Sequence, residues 1–485
     1  MTYVVAIDAG TTGVRSRAIF ADGRESVSAY LEFGQHFPRP GWVEHDANEI
    51  WSVTQRTLAE VIARVGSLPA AIGITNQRET IVAWDRANGS VLGPAIVWQD
   101  RRTADRCIEL APHLSTIRST TGLVLDPYFS GTKIEWMLSN GIARSDTLAF
   151  GTIDSWILWN LTGGQVFATD ESNASRTMLW DITRHDWSSE LCDLLGIPVS
   201  SLPTVRDSSG RFGVTSTDGL PTGIPVSGIA GDQQAALFGQ ACFAQGDAKN
   251  TYGTGSFVLM NVGTQCPAPS EGMLTTVAWR IGGETTYATE GAIFVTGAAV
   301  QWLRDGLGII RESRDVETLA ARVADSGGVV FVPALTGLGS PWWDPEARGA
   351  IFGITRGTTS AHLALATLEA MAFQTRDVVE AMTKATGVPI RRLRVDGGAS
   401  GNDRLMQMQA DQLGIVVERP IDRETTAQGA AFLAGLAEGV WSSLDEIAAA
   451  RHVDREFEPN EELRVFADIA HEQWLAGLRR VTDRR

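Results

Sequence analysis

The chain has 485 residues, a length that predicts two large domains or three small ones. It carries 41 basic and 57 acidic side chains, a formal net charge of −16, which argues against binding to the phosphate backbone of nucleic acids. Hydrophobic residues make up 44% of the chain, enough for a buried core, but no run of about 18 apolar residues predicts a membrane span, so we expect a cytoplasmic protein.

The chain opens with two strands joined by a glycine-rich turn. Residues 3–8 read as a buried strand that ends in Asp8, and residues 14–20 read as the second strand. The turn between them contains Gly-Thr-Thr-Gly (10–13), whose backbone N–H groups and hydroxyls suit phosphate oxygens. The preceding carboxylate is placed to hold Mg²⁺. The alternative interpretation is a tight hairpin in which the aspartate serves only the turn.

Helical spacing predicts a helix over 47–65, behind a capping Asp46, and a strand over 70–74 follows it. Residues 151–160 fit either a helix or a strand. The same spacing predicts further helices over 103–120, 132–139, 294–306, 360–383 and 461–480.

A second hairpin of the same kind lies midway along the chain. A β-branched run over 224–230 ends near Asp232 and leads into an Ala-rich helical stretch. Strand, Gly-Thr turn and strand then recur around 253–256, which repeats the pattern of residues 8–13 and indicates an internal duplication. Considered by itself, Asp232 could have a purely structural role as the N-cap residue of the helix that follows.

Two Gly-Thr turns, one in each half, would hold one polyphosphate from both sides of a cleft. The chain has neither Gly-x-x-x-x-Gly-Lys-Ser/Thr nor Gly-x-Gly-x-x-Gly, which excludes a Walker-type NTPase and a Rossmann dinucleotide site. We therefore expect an α/β fold of two actin-like (ribonuclease H-like) domains, with a duplicated core and an active-site cleft between the domains. The predicted domains span residues 1–240 and 241–485.

Several sequence blocks form a more specific pattern. They include Ile-Thr-Asn-Gln-Arg-Glu-Thr (74–80), Val-Trp-Gln-Asp-Arg-Arg-Thr (97–103), Asp-Pro-Tyr-Phe-Ser-Gly-Thr-Lys (126–133), Gly-Asp-Gln-Gln-Ala-Ala-Leu-Phe-Gly (231–239), Asn-Thr-Tyr-Gly-Thr-Gly (250–255) and the stretches 301–307, 333–349 and 395–409. Together they cover nearly the whole chain and resemble the FGGY carbohydrate kinase family, in particular its members that act on glycerol. The resemblance implies ATP-dependent phosphorylation of glycerol to sn-glycerol 3-phosphate.

The resemblance also implies roles for individual residues. The implied acceptor-binding residues are Arg78, Glu79, Trp98, Tyr128, Asp232, Gln233 and Phe257. The implied nucleotide-binding residues are Thr11, Thr12, Gly13, Arg15, Thr254, Gly297, Gln301, Gly398 and Asn402. Asp232 would be the general base, and Asp8 and Asp232 would lie near Mg²⁺. A guanidinium, carboxylates and an amide suit three hydroxyl groups, each of which donates and accepts hydrogen bonds. The implied partners are glycerol, ATP and further copies of the chain, as a dimer or tetramer, without nucleic acid or membrane insertion.

The first turn departs from the family pattern, Asp-Gln-Gly-Thr-Thr-Ser-Ser-Arg. Ala9 and Gly13 lack an amide and a hydroxyl near the phosphates, but the backbone donors remain, so we expect nucleotide binding to persist. Two alternative functions stay open at this point. One is an FGGY kinase that acts on another polyol or a ketose, and the other is an actin-like ATP-binding protein with no small-molecule acceptor.

Overall fold

The computed structural model describes residues 2–482, and its centre is a sheet of thirteen strands. The first strand is apolar except for Asp8 near its end, because both faces of its preceding residues are buried. Val5 and Ile7 pack with the helix over 47–65, whereas Val4 and Ala6 pack on the other face of the sheet. Within residues 2–482, every helix is too short or too polar to cross a lipid bilayer.

In the N-terminal half of the described chain, six of the fourteen strands belong to the central sheet, and the other eight form one four-stranded and two two-stranded sheets. The strands are β1 (Tyr3–Ala9), β2 (Gly13–Phe20), β3 (Val27–Glu32), β4 (Glu44–His45), β5 (Ala71–Asn76), β6 (Ile81–Asp85), β7 (Ala95–Ile96), β8 (Leu148–Thr152), β9 (Ala168–Asp170), β10 (Trp180–Asp181), β11 (Asp186–Trp187), β12 (Thr204–Arg206), β13 (Ser209–Val214) and β14 (Pro225–Gly231). The helices are α1 (Ala47–Val65), α2 (Ala104–Glu109), α3 (Leu114–Thr121), α4 (Ser130–Ser139), α5 (Ile153–Leu161), α6 (Glu171–Ala174), α7 (Ser189–Leu194) and α8 (Asp232–Gly239), with 3₁₀ turns at Ala111–His113 and Val199–Ser201.

In the C-terminal half, as far as residue 482, seven of the nine strands continue the central sheet, and the other two pair separately. Its strands are β15 (Ala248–Tyr252), β16 (Ser256–Gly263), β17 (Leu274–Ile281), β18 (Glu284–Ile293), β19 (Val330–Val332), β20 (Ala350–Phe352), β21 (Arg392–Asp396), β22 (Val416–Pro420) and β23 (Val453–Phe457). Its helices are α9 (Gly297–Gln301), α10 (Asp315–Ala320), α11 (Ser360–Thr386), α12 (Asp403–Leu413), α13 (Thr425–Ala437), α14 (Leu444–Ala449) and α15 (Arg464–Thr482), with a π turn at Trp302–Gly306 and 3₁₀ turns at Gly398–Gly401 and Glu461–Leu463.

The strand order contains the predicted duplication. In the N-terminal half the order β3-β2-β1-β5-β14 has an antiparallel meander, followed by two strands that run parallel to β1. In the C-terminal half the order β18-β16-β15-β21-β22 repeats this arrangement. β13 and β17 join the two blocks into one sheet. The predicted fold class is therefore confirmed.

Helices α8 and α13 lie between the two halves and approach each other at glycines. A Cβ atom on Gly239 would lie 2.0 Å from the carbonyl oxygen of Thr425, and one on Gly429 would lie 1.8 Å from that of Ala235. No larger residue fits at either glycine unless the backbone moves. Helix α13 also packs on β1, β5 and β14, so it fixes α8 relative to the N-terminal block.

Most predicted elements are present, two predicted helices differ from the structure, and the open assignment of residues 151–160 is settled. Helix α1 follows its Asp46 cap as expected. The single helix predicted over 103–120 is wrong, because Pro112 lacks an N–H and divides it into α2, a 3₁₀ turn and α3. Residues 151–160 end strand β8 and continue into helix α5. The helix predicted over 294–306 begins three residues later and changes to a π turn.

Candidate active site

Asp232 is the first residue of α8, directly after the buried strand β14. Gly231 occupies the N-cap position, so the interpretation of Asp232 as the N-cap is wrong. The carboxylate accepts a hydrogen bond from the backbone N–H of Gln233 at 2.8 Å. One oxygen also lies 3.2 Å from Nε of Arg78, while 30% of the Asp232 side chain stays exposed. The carboxylate is thus fixed in position and still open to the cleft.

Arg78 brings several of the predicted acceptor residues together. Its buried guanidinium donates from Nη2 to the Tyr128 hydroxyl at 3.1 Å. The guanidinium carbon lies 5.7 Å from the centre of the Phe257 ring. A Cβ atom at position 231 would lie 2.7 Å from the Arg78 side chain, so Gly231 is what allows this arginine to reach Asp232.

Glu79 has an unusual backbone conformation, with φ at +62°. Such a conformation costs on the order of 1–3 kcal/mol in a residue other than glycine and persists only where its surroundings enforce it. Here the Ser130 hydroxyl donates to the Glu79 carbonyl at 2.9 Å, and Arg176 Nε donates to the Glu79 carboxylate at 2.7 Å. Burial raises the pKa of this carboxyl group.

Sequence reasoning missed two fully buried members of this cluster, Arg176 and Glu290. Glu290 on β18 accepts hydrogen bonds from both Arg78 and Arg176, the latter from Nη2 at 2.9 Å. Burial alone would raise the pKa of Glu290, but the two arginines outweigh it and lower the pKa to about 2. We define the buried ionic network as Arg78, Glu79, Arg176 and Glu290.

Gln233, the next predicted acceptor residue, is held from the C-terminal half. Lys249 on β15 is fully buried and donates from Nζ to Oε1 of Gln233 at 2.5 Å. The same ammonium donates to the hydroxyl of Thr251 at 2.8 Å. Burial lowers the pKa of Lys249 to about 8. Sequence reasoning missed Lys249 as well, although its rarity was a signal, because the chain contains only three lysines.

The first Gly-Thr turn adjoins the acceptor residues. The Gly10 N–H donates to the Gly13 carbonyl at 3.0 Å and closes the turn. The indole Nε1 of Trp98 donates to the Thr11 hydroxyl at 3.0 Å. The same indole meets the Tyr128 ring edge-on, with ring centres 5.6 Å apart. Trp98 therefore connects the turn with the acceptor residues.

Acidic side chains converge beside this turn. Burial, together with the nearby charges of Asp232 and Glu424, raises the pKa of Asp8 to about 7, whereas Arg15 opposes the shift. Arg15 also lies 3.1 Å from Glu424. Among residues 2–482, no cluster of three or more His, Cys, Asp or Glu side chains is arranged to hold a metal ion. The carboxylates of Asp8 and Asp232 nevertheless fit Mg²⁺ when phosphate oxygens supply the other ligands.

The second Gly-Thr turn contacts the start of α9. The backbone N–H of Gly297 donates to the Gly253 carbonyl at 3.1 Å, and that of Thr296 donates to the Thr254 carbonyl at 3.0 Å. A Cβ atom on Gly297 would lie 2.5 Å from the Gly253 carbonyl oxygen, so this approach requires glycine. Gln301 ends the same helix and is exposed.

The other predicted nucleotide residues follow β21, which pairs with β15. Gly397, just before Gly398, has φ at +81°, and a Cβ atom there would lie 2.5 Å from the Tyr252 carbonyl oxygen. The Asn402 side chain caps α12 by accepting from the N–H of Leu405 at 2.9 Å. These residues therefore lie beside the second turn. Within residues 2–482, Gln301, Gly398 and Asn402 form no hydrogen bond with an acceptor residue.

Two related α/β domains that share a polar cleft, with a glycine-rich turn from each half, define the actin-like class of phosphotransferases. The model of the FGGY family of carbohydrate kinases, N-terminal domain, matches residues 3–239, and that of the C-terminal domain matches residues 248–438. The chain belongs to the FGGY family of carbohydrate kinases, and the resemblance found in the sequence is confirmed.

Individual relatives agree with this assignment. A glycerol kinase of Aromatoleum aromaticum is 53% identical, with 100% of this chain and 99% of that protein covered. A glycerol kinase of Deinococcus radiodurans is 54% identical, with 94% and 93% covered. The crystal structure of Plasmodium falciparum glycerol kinase with ADP is 33% identical and has a TM-score of 0.93, with 99% of this chain and 98% of that chain covered.

A more distant structure shares the fold. The ligand-bound xylulose kinase from Lactobacillus acidophilus has a TM-score of 0.91 at 21% identity, with 100% of this chain and 99% of that chain covered. At this identity the likeness shows the fold alone. Two kinases named for different acceptors therefore share one architecture, and the choice of acceptor depends on the side chains of the site.

Proposed function

We propose that this protein catalyses the ATP-dependent phosphorylation of glycerol to sn-glycerol 3-phosphate. The observation that carries the proposal is the position of Asp232, which lies 3.2 Å from Arg78 and remains open to the cleft beside the two Gly-Thr turns. The relatives at 53% and 54% identity, both named glycerol kinase, support glycerol as the acceptor.

The acceptor residues suit a short polyol. Arg78 donates hydrogen bonds, Glu79 and Asp232 accept them, and Tyr128 does both, so three hydroxyl groups find matching partners. Trp98 and Phe257 would cover the carbon chain. In a buried site, an analogue that lacks one hydroxyl leaves the polar group that would bind it unpaired. Such a site therefore rejects that analogue.

Asp232 would act as the general base. As the acceptor oxygen forms its bond to the γ-phosphorus, the bond from that phosphorus to the bridging oxygen breaks, and ADP leaves with the electron pair. Asp232 takes the proton of the attacking hydroxyl. Arg78 holds the carboxylate toward the cleft, so the residues contribute mainly by placing the reacting groups.

The two turns would hold the nucleotide. Backbone N–H groups and the hydroxyls of Thr11, Thr12 and Thr254 would donate to phosphate oxygens, and Arg15 would add positive charge. Asp8 and Asp232 would hold the Mg²⁺ that accompanies ATP, because a cation would offset the repulsion between their charges. When bound, Mg²⁺ supplies charge neutralisation at the phosphates.

The nucleoside would lie against the C-terminal half, near Gly297, Gln301, Gly398 and Asn402. Closure of the two halves over the cleft would exclude water and limit ATP hydrolysis. The division into residues 1–240 and 241–485, the homo-oligomeric state and the cytoplasmic location stay predictions.

An ADP-release assay across a panel of acceptors tests the proposal. The panel contains glycerol, dihydroxyacetone, erythritol, xylulose and gluconate, each with Mg²⁺ and ATP. We expect the highest kcat/KM with glycerol. A higher kcat/KM with a four- or five-carbon acceptor than with glycerol would overturn the proposed substrate. If no acceptor stimulates ADP release, light scattering with ATP would test for an actin-like polymer instead.

A further inference from the structure

Tyr30 fills the space beside Gly13 in the first Gly-Thr turn. A Cβ atom at position 13 would lie 2.7 Å from both Cζ and Oη of Tyr30, and 2.5 Å from the carbonyl oxygen of Leu31. Tyr30 therefore occupies the space into which a side chain at position 13 would project. The family pattern has a serine hydroxyl at this place in the turn, and this chain has glycine.

The strand register places Tyr30 in line with two residues predicted to act at the phosphates. Arg15 on β2 lies opposite Asp8 on β1 and opposite Tyr30 on β3. Residues directly opposite each other in an antiparallel sheet point to the same face. Asp8, Arg15 and Tyr30 thus form one row, and the guanidinium carbon of Arg15 lies 5.5 Å from the centre of the Tyr30 ring.

The Tyr30 hydroxyl is close to the turn and open to a ligand. Its oxygen lies 3.3 Å from the Thr12 hydroxyl, and 44% of the residue is exposed. A phenol O–H donates strongly to an anionic oxygen, and the neighbouring Thr12 and Arg15 would serve the same anion.

From this arrangement we infer that the Tyr30 hydroxyl binds a phosphate oxygen of the nucleotide, in place of the side chain that Gly13 lacks. The inference rests on the proposed function, because it assumes that the first turn holds ATP. It adds a binding residue from β3, outside the turn itself, and it explains how a glycine is accommodated at position 13.

The competing role for Tyr30 is a packing surface for the Arg15 guanidinium. Two variants separate the roles, since Tyr30→Phe keeps the ring and removes only the hydroxyl, whereas Tyr30→Leu removes both. Ser28→Ala is a matched control, because it removes an exposed hydroxyl from the same strand two residues away.

Calorimetric titration with ATP and ADP, each with Mg²⁺ and without glycerol, measures the effect. Tyr30→Phe should weaken nucleotide binding roughly tenfold, as expected for one lost hydrogen bond to a charged group, while Ser28→Ala binds like the unaltered protein. The KM for glycerol should stay within about twofold, because in the described part of the chain the polar contacts of Tyr30 are with Thr12 and Arg15, not with the acceptor residues.

If Tyr30→Phe binds nucleotide as tightly as the unaltered protein, the inference is overturned, whatever Tyr30→Leu does. An unaltered protein that binds ATP but does not phosphorylate glycerol overturns the proposed acceptor and leaves the Tyr30 comparison readable. An unaltered protein that binds no ATP overturns both proposals.

Discussion

Lys249 and Gln233 join the two halves of the protein through a buried hydrogen bond, 2.5 Å from Nζ of the lysine to Oε1 of the glutamine. Because the amide oxygen is engaged by the ammonium group, the NH₂ group of Gln233 remains to donate to an acceptor hydroxyl. Lys249 thus fixes which end of the Gln233 amide faces the acceptor. It positions a binding residue and need not contact the substrate itself.

Replacement of Lys249 by Met should free the Gln233 amide to rotate. We expect the KM for glycerol to rise about tenfold, as for one lost hydrogen bond, whereas the KM for ATP changes less than about threefold. Steady-state kinetics with each substrate varied in turn measure both constants. Lys384→Met is the matched control, because Lys384 is exposed. An equal loss of affinity for both substrates would mean a general structural defect.

The pKa of Lys249 predicts how stability depends on pH. Burial lowers this pKa from 10.5 to about 8, and neighbouring Asp396, Asp232 and Glu290 oppose the shift while Arg78 adds to it. Between about pH 8 and pH 10.5 the unfolded chain retains a proton that the folded protein has lost, so the free energy of unfolding contributed by this group rises with pH. Below pH 8 its contribution is constant.

Urea unfolding from pH 7 to pH 10 tests this dependence. The free energy of unfolding of the unaltered protein, minus that of Lys249→Met, should increase as the pH rises above 8. The subtraction removes the titration of other groups that both proteins share. A difference that stays flat or decreases over this range would contradict the pKa assignment.

Glu290 compensates two buried arginines, and its loss should be costly. Among residues 2–482, Glu290→Gln leaves Arg78 and Arg176 with Glu79 and Asp232 as their charged partners, so we expect a loss of about 3 kcal/mol in the free energy of unfolding. Glu380→Gln breaks the ion pair with Arg376, whose glutamate is 54% exposed, and should cost less than about 1 kcal/mol. Equal effects of the two substitutions would show that the buried ionic network does not stabilise the fold.

Local patterns in the sequence predicted the elements that hold the site. Apolar strands that end in Gly-Thr turns are visible in short windows, and the repeat of one such window indicated the duplication. Pro112 was visible too, and its helix-breaking effect should have divided the helix predicted over 103–120. The prediction followed the helical spacing of the apolar residues in 103–120 and did not take the proline into account.

The buried ionic network was not predictable in the same way. Arg78 and Glu290 are 212 residues apart, and Arg176 and Glu290 are 114 apart, so only the folded sheet reveals that they meet. A single arginine or glutamate in a sequence is usually solvated, and burial becomes evident only from the packing around it. The close approach of Tyr30 to Gly13 likewise depends on the register between β2 and β3. The residue types in those two strands do not determine that register.

The most direct test of the account is the turnover of Asp232→Asn with saturating glycerol and ATP. The amide keeps the shape of the side chain but cannot take the proton of the attacking hydroxyl, so kcat should fall at least about 100-fold. Circular dichroism and the Kd for ADP, measured without Mg²⁺, should stay close to those of the unaltered protein. A kcat within about threefold of the unaltered value, in a folded protein that binds nucleotide, would remove Asp232 from the proposed mechanism.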